Sequence, residues 1–293
     1  MSRSDVKDTD PGRGVVKDTS FTPGLVCWID VSSTDPAGSR EFYAGLFGWT
    51  YQISPGHRHD TIALCAGQPV ASLAGVAVQA AQPVTWTLYL ASANIDHTAT
   101  VFTQWGGRVL QGPVDIPGQG KVLIGADPTG AVIGFWQPAT PWSFHTATPG
   151  ALIWAELNTW QGALADKVFA NLFGYQQQQI GDGRDVDYTT WSRGGRTMLG
   201  RLQMNQDWAV PGIAARWMLH FAVDPRTGID AAVDRVLDLG GWVDTEPYDS
   251  ELGRIARVAD PAGASFALID PTKRIPPAEL AAGSARVDDP YDD

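Results

Sequence analysis

An internal duplication constrains this chain more than any other feature. Leu25–Trp49 reads LVCWIDVSSTDPAGSREFYAGLFGW, and Leu152–Tyr175 reads LIWAELNTWQGALADKVFANLFGY. Trp28 matches Trp154, Asp30 matches Glu156, and Leu46-Phe47-Gly48 matches Leu172-Phe173-Gly174, all at one offset, 154 − 28 = 126. Later landmarks recur in the same order. Trp86-Thr87-Leu88-Tyr89-Leu90-Ala91 is echoed by Trp217-Met218-Leu219-His220-Phe221-Ala222, Gly106-Gly107 by Gly240-Gly241, and Asp127-Pro128-Thr129-Gly130-Ala131 by Asp260-Pro261-Ala262-Gly263-Ala264. A period this long marks a duplicated domain rather than a solenoid repeat. The 293 residues suit two domains of roughly 150 residues each.

Each copy opens on a strand and a helix. Val26–Val31 is β-branched and aromatic, which suits a pleated, half-buried surface. Ser32-Ser33-Thr34-Asp35 supplies capping residues and Pro36 a first helical position. Phe42, Leu46 and Phe47 fall at helical spacing, and Gly48 stops the helix. Short strands separated by Gly/Pro turns follow. The plan occurs twice in each copy, so the fold class is α+β, built from four βαβββ units. The boundaries are a flexible arm over 1–23, a first domain over 24–138, a linker over 139–149, a second domain over 150–272 and an acidic tail over 273–293.

Composition excludes several partners. A net charge of −11 disfavours nucleic-acid phosphates and anionic membrane surfaces. The sequence has no membrane-length apolar run and no signal-peptide pattern, and two cysteines, Cys27 and Cys65, make no disulfide framework. The expected setting is a reducing cytoplasm. Twelve tryptophans are many for this length and suit a pocket for a planar ligand. P-loop, dinucleotide and GxSxG motifs are lacking.

The paired units, the Phe42-Tyr43-Ala44-Gly45-Leu46-Phe47-Gly48-Trp49 segment, the Gly-Gly pairs and the DP-x-GA turns together resemble the vicinal oxygen chelate superfamily. That superfamily includes glyoxalase I, bleomycin-resistance proteins and extradiol dioxygenases. The chain looks most like its tandem two-domain actinobacterial glyoxalase-like members. The resemblance implies, in each domain, a cupped, mixed eight-stranded sheet with helices outside and an open cleft.

Metal-dependent members hold a divalent ion with His, Gln or Glu at four cleft positions. The resemblance places Trp28, about Ser72, Trp86 and Gly134 there in the first domain. In the second it places Trp154, about Gly200, Trp217 and Ala267. Indole offers no lone pair and Gly and Ala no ligand atom, so no metal is expected. His57 and His59 read as a solvated turn, His97 as helix surface, His145 as linker and His220 as sheet-to-helix packing.

Side chains at i and i+2 share a face of a strand. With Trp28 facing inward, Asp30 and Ser32 face the same cleft, as do Glu156 and Asn158 beside Trp154. The expected linings are therefore Trp28, Asp30, Ser32, Trp86 and Trp136 in the first cleft and Trp154, Glu156, Asn158 and Trp217 in the second. Tyr89 and Arg201 fall on the other parity. Gly134, Gly200 and Ala267 leave room opposite.

Carboxylates in such clefts are expected to have raised pKa values through desolvation, which suits acid/base work. Asp30 and Glu156 are the candidate catalytic groups, and the five tryptophans with Ser32 and Asn158 the candidate binding groups. Three functions stay open. One is a cofactor-independent lyase, isomerase, cyclase or hydration enzyme acting on an aromatic or polyketide-like substrate. The second is a non-catalytic protein that sequesters such a ligand. The third is a scaffold that docks other proteins. Two fused domains supply what relatives obtain by dimerising, so a monomer or weak homodimer is expected.

Overall fold

The computed structural model describes residues 22–53, 60–76, 84–181, 183, 186–206 and 212–275. His57 and His59, nearly all of the N-terminal arm and most of the acidic tail lie outside the described residues.

The first half runs β1 (Val26–Ser33), α1 (Pro36–Phe47), β2 (Thr50–Ile53), β3 (Asp60–Cys65), β4 (Gln68–Gly75), then β5 (Trp86–Ala91), α2 (Ile95–Gln104), β6 (Arg108–Ile116), β7 (Gly120–Ala126) and β8 (Val132–Pro138). The second half repeats it as β9 (Leu152–Thr159), α3 (Gly162–Phe173), β10 (Gln176–Ile180), β11 (Tyr188–Arg193), β12 (Arg196–Gln203), then β13 (Arg216–Ala222), α4 (Ile229–Asp238), β14 (Trp242–Ser250), β15 (Gly253–Ala259) and β16 (Ser265–Asp270). The sheets have matching strand orders, β2-β3-β4-β1-β5-β8-β7-β6 and β10-β11-β12-β9-β13-β16-β15-β14. Both are mixed: β1 runs parallel to β4 and β5 to β8, while β1 and β5 pair antiparallel.

Local chemistry accounts for the helix ends. Asp35 caps α1 by accepting from Gly38 N at 3.0 Å, with Pro36 at the first turn. Gly48 ends α1 and Gly174 ends α3, each at φ 70°, a left-handed conformation that glycine adopts without a Cβ penalty. Gln161, which starts α3, makes no side-chain cap; the Gln203 side chain accepts from Gly162 N at 2.7 Å instead.

One continuous core joins the two halves. Trp86 and Phe221 meet at 5.1 Å, Phe47 and Phe221 at 5.2 Å, and Phe135 and Phe173 at 6.1 Å. The two sheets thus turn the same sides toward each other, and α1 packs against α4 as α2 packs against α3. Polar ties reinforce the join: Trp49 Nε1 donates to Gly150 O at 2.8 Å, and Tyr43 Oη to Asp260 Oδ2 at 3.1 Å. The opposite face of each sheet is left to form a cup.

Candidate active site in the first cup

Strand pairing fixes which side chains share the first cup. Trp28 lies opposite Tyr89, and Asp30 sits beside Ser72 across the parallel β1–β4 pair. Tyr89 neighbours Gly134 across β5–β8. The lining is completed by Ile62, Gln111, Ile116, Gln119, Val122, Ile124, Trp136 and Trp142 around a cavity of about 180 Å³. Seven strands supply these residues. A flat sheet places strands about 4.8 Å apart, too spread for one small cavity, so the sheet must curl.

Asp30 is at the centre. Tyr89 Oη donates to its Oδ2 at 2.5 Å, and such charge-assisted bonds are roughly twice as strong as neutral ones. The ring of Tyr89 lies over Gly134: a Cβ there would stand 2.2 Å from Tyr89 Cδ1. Glycine is therefore what lets the tyrosine reach the acid. Trp28 Nε1 donates to Ser72 Oγ at 3.0 Å, which fixes the indole as a wall. Trp142 stands edge-on to Trp28 at 5.0 Å and tilted to Trp136 at 5.6 Å. The segment after β8 thus folds back as the third aromatic wall, with Phe144 against Trp28 at 5.5 Å.

The second cup repeats the theme with different chemistry. Trp154 Nε1 donates to Tyr188 Oη at 2.8 Å, and that hydroxyl lies over Gly200. Glu156 faces His220, with Oε1 3.6 Å from Nε2, and both are buried. Burial alone would raise the Glu156 pKa, but the attraction of His220, then of Arg257, holds it below the ordinary carboxylate value. The raised value expected for this acid is corrected accordingly: a charged partner outweighs desolvation.

Comparison with known proteins now places the chain. No family model matches it. The anthracycline biosynthesis protein DnrV of Streptomyces peucetius is 31% identical over 283 residues, covering 91% of this chain and 99% of DnrV. The chain belongs to the family of DnrV. Among solved structures, the Mn(II)-bound glyoxalase from Novosphingobium aromaticivorans superposes with a TM-score of 0.61 at 13% identity, covering 87% of this chain and 84% of that one. The 2,3-dioxygenase LapB of Pseudomonas sp. KL28 superposes at 0.60 and 11%, covering 88% and 96%. At these identities the likeness shows the fold alone.

Among the described residues, neither cup offers the donor set of a divalent-metal site. The first cup presents Asp30 among Trp28, Tyr89 and Gly134 at the corresponding strand positions. The second presents only Glu156 and His220, with Gly200 and Ala267 supplying no ligand atom. Among the described residues no group of three or more His, Cys, Asp or Glu could hold an ion. One or two donors do not fit a divalent cation that takes three or four.

Several expected placements need correcting. Trp86 pairs with Val31 and Trp217 with Leu157, so both face the core rather than a cup. Trp86 packs on Tyr43 and Phe221, and Trp217 on Phe169 and Trp191. Tyr89 moves the other way, into the first cup. His220 faces the second cup and Glu156 rather than a helix. The signal was present in the alternation: Trp86, Leu88 and Leu90 are the apolar parity of β5, leaving Thr87 and Tyr89 for the cup.

Ser32 is engaged with the Thr85 backbone at 3.3 Å and is not part of the cavity lining. Asn158 is buried on the second-cup face, opposite Arg216. Arg201 lies on the other parity, as expected, and pairs with Asp166 and Asp187 at 2.9 and 2.8 Å. Trp142 escaped the sequence reading because it lies outside any strand. His97 Nδ1 and Nε2 enter no described contact with the cup, and His145 Nε2 meets Thr148 Oγ1 at 2.9 Å in the connecting segment.

Proposed function

We propose that this chain acts on a planar aromatic polyketide of the anthracycline type, bound in the first cup, with Asp30 as the proton-transfer group. The observation that carries this is the Asp30–Tyr89 pair, 2.5 Å apart, on the floor of a cavity walled by Trp28, Trp136 and Trp142. The names of DnrV of Streptomyces peucetius and DauV of Streptomyces sp. strain C5 support the substrate class.

The cavity volume narrows how such a ligand sits. About 180 Å³ is close to the roughly 150 Å³ of an engineered cavity that holds benzene. One ring enters between the indoles, and the rest of a polycyclic ligand lies across the mouth beside Gln111 and Gln119. Flat ligands gain from offset or edge contacts with indole faces, about 0.5–1.5 kcal/mol per aromatic pair.

The chemistry needs no co-reactant. Asp30 takes a proton from an acidic C–H beside a ring carbonyl. The C–H electron pair passes into the enolate, and the Tyr89 hydroxyl shares the carboxylate charge. The neutral acid then returns the proton at a second carbon. The net result is an isomerisation, or a ring closure when the enolate carbon attacks a second carbonyl and the acid protonates the new alkoxide. Glu156 serves as a fixed counter-charge to His220 and Arg257 rather than as a second base, because its environment keeps it ionised.

Titration of the full chain with dihydroxyanthraquinone, read by tryptophan fluorescence, tests the binding half. Saturable quenching that weakens at least tenfold in Trp28→Ala and Trp136→Ala, and not in Trp154→Ala, is the expected result. Quenching unaffected by the first-cup changes refutes the placement. A ligand that binds in the first cup and is not turned over by the wild type favours sequestration over catalysis, and turnover unchanged in Asp30→Asn refutes the role of Asp30.

A further inference from the structure

We infer that the second cup is a separate binding site for an organic anion, a carboxylate on a flat ring system, recognised by Arg216 and Arg257. This does not depend on what the first cup does.

The argument starts from the duplication. Cavity-lining positions of the first cup have counterparts in the second: Trp28 in Trp154, Asp30 in Glu156, Tyr89 in His220 (220 − 131 = 89), Val122 in Ile255, Ile124 in Arg257 (257 − 133 = 124) and Trp136 in Ile269. The pairings agree, since Tyr89 neighbours Gly134 as His220 neighbours Ala267, and Ile124 pairs with Gly134 as Arg257 pairs with Ala267. Arg257 therefore stands where the first cup has an apolar wall. Arg216, opposite Asn158, stands where the first cup has Thr85. Two guanidinium groups have entered a face whose matching positions in the first copy, Ile124 and Thr85, carry no charge.

In a protein of net charge −11, two arginines on one concave face mark a local reversal of sign. They also repel each other: burial first, and then Arg257, holds Arg216 below its ordinary value, with Asp244 acting against that. The Nε of Arg216 is buried without a partner among the described residues. Among the described residues, the other charged or titratable groups on this face are Glu156, His220, Tyr188 and Tyr248. Glu156 is shared between His220 and Arg257, and Asp244 is exposed on β14. The buried Arg216 Nε is the donor that this face offers to a ligand. A ligand carboxylate would accept from guanidinium donors in the planar, two-pronged geometry arginine favours. Trp154, half-buried, and Tyr248, 36% exposed, stand on the same face to receive a ring. Met218, Ile255 and Ile269 form the apolar floor beneath.

Calorimetric titration of the full chain with naphthoate, and with neutral naphthamide of the same shape, tests this. Naphthoate is expected to saturate one site, with affinity that falls as salt rises and drops at least tenfold in Arg216→Gln. Naphthamide is expected to bind at least tenfold more weakly. Arg257 acts electrostatically on Glu156, so Arg257→Gln serves as a second variant, read beside a melting curve. Absence of saturable naphthoate binding, equal affinity for naphthamide, or an affinity untouched by either arginine change overturns the inference. Naphthoate binding that is lost in Trp28→Ala and untouched in both arginine variants also overturns it, by placing the anion in the first cup.

Discussion

Tyr43 and Asp260 form a joint between the two halves whose strength can be worked out and whose mirror image is missing. Both residues are fully buried. Asp260 Oδ1 accepts from Ala262, Gly263 and Ala264 N at 3.0, 2.9 and 2.8 Å, while Oδ2 accepts from Tyr43 at 3.1 Å and Ser39 at 3.3 Å. Tyr43→Phe removes one of the two donors to Oδ2. A hydrogen bond to a charged group contributes about 1.5–3 kcal/mol. For a chain of this size each kcal/mol is roughly 2–4 °C in Tm, so a fall of about 4 °C or more is expected. The duplication supplies the reverse experiment. Asp127 is the counterpart of Asp260, and its Oδ2 is buried without a partner among the described residues; burial pushes its pKa up. The residue matching Tyr43 is Phe169 (169 − 126 = 43), which packs edge-on to Trp217 as Tyr43 does to Trp86. Phe169→Tyr brings a hydroxyl toward Asp127 and is expected to raise Tm by roughly 2 °C, for about 1 kcal/mol gained. Differential scanning calorimetry of both variants checks the pair. An unchanged Tm in Tyr43→Phe refutes the reasoning.

Three further outcomes follow from the cups. Gly134→Ala places a methyl 2.2 Å from the Tyr89 ring; the ring must leave Asp30, and ligand affinity in the first cup is expected to fall at least tenfold with the far-ultraviolet circular dichroism unchanged. Glu156→Gln breaks a buried charge cluster, a change that costs about 3 kcal/mol or more, measurable as a lower midpoint in urea. The wild-type pH dependence carries the matching sign. The folded Glu156 lies below its ordinary value near pH 4.3, so its stabilisation is present above that value and drains as pH falls through the folded one; Glu156→Gln is expected to flatten that part of the curve.

The duplication made the architecture legible, because landmarks at near-constant offsets show one unit plan recurring in both halves, while the cupped eight-stranded sheet came from the family resemblance. The opening strand was readable for the same reason: Trp28 and Asp30 share a face wherever the strand pairs. Parity on the partner strands was harder. Trp86 and Trp217 echo each other as strongly as any pair in the chain, yet the echo reports a shared place in the core, where Trp86 meets Phe221. An aromatic residue satisfies either face of a sheet, so its identity does not reveal its side. The charge state of Glu156 was beyond reach, since it depends first on His220, which reads in the sequence as helix packing, and then on Arg257, which follows Glu156 by 101 residues (257 − 156). Trp142 was hidden because irregular chain has no period to read.

The central claim is that Asp30, held by Tyr89 in the first cup, moves a proton on an aromatic polyketide. Incubation of the full chain in D2O with anthracyclinone precursors from a producing streptomycete, followed by mass spectrometry, tests it directly. The wild type is expected to introduce deuterium at a carbon beside a ring carbonyl, Tyr89→Phe to do so at least tenfold more slowly, and Asp30→Asn not at all while still quenching with dihydroxyanthraquinone. Deuterium incorporation by Asp30→Asn at the wild-type rate contradicts the account.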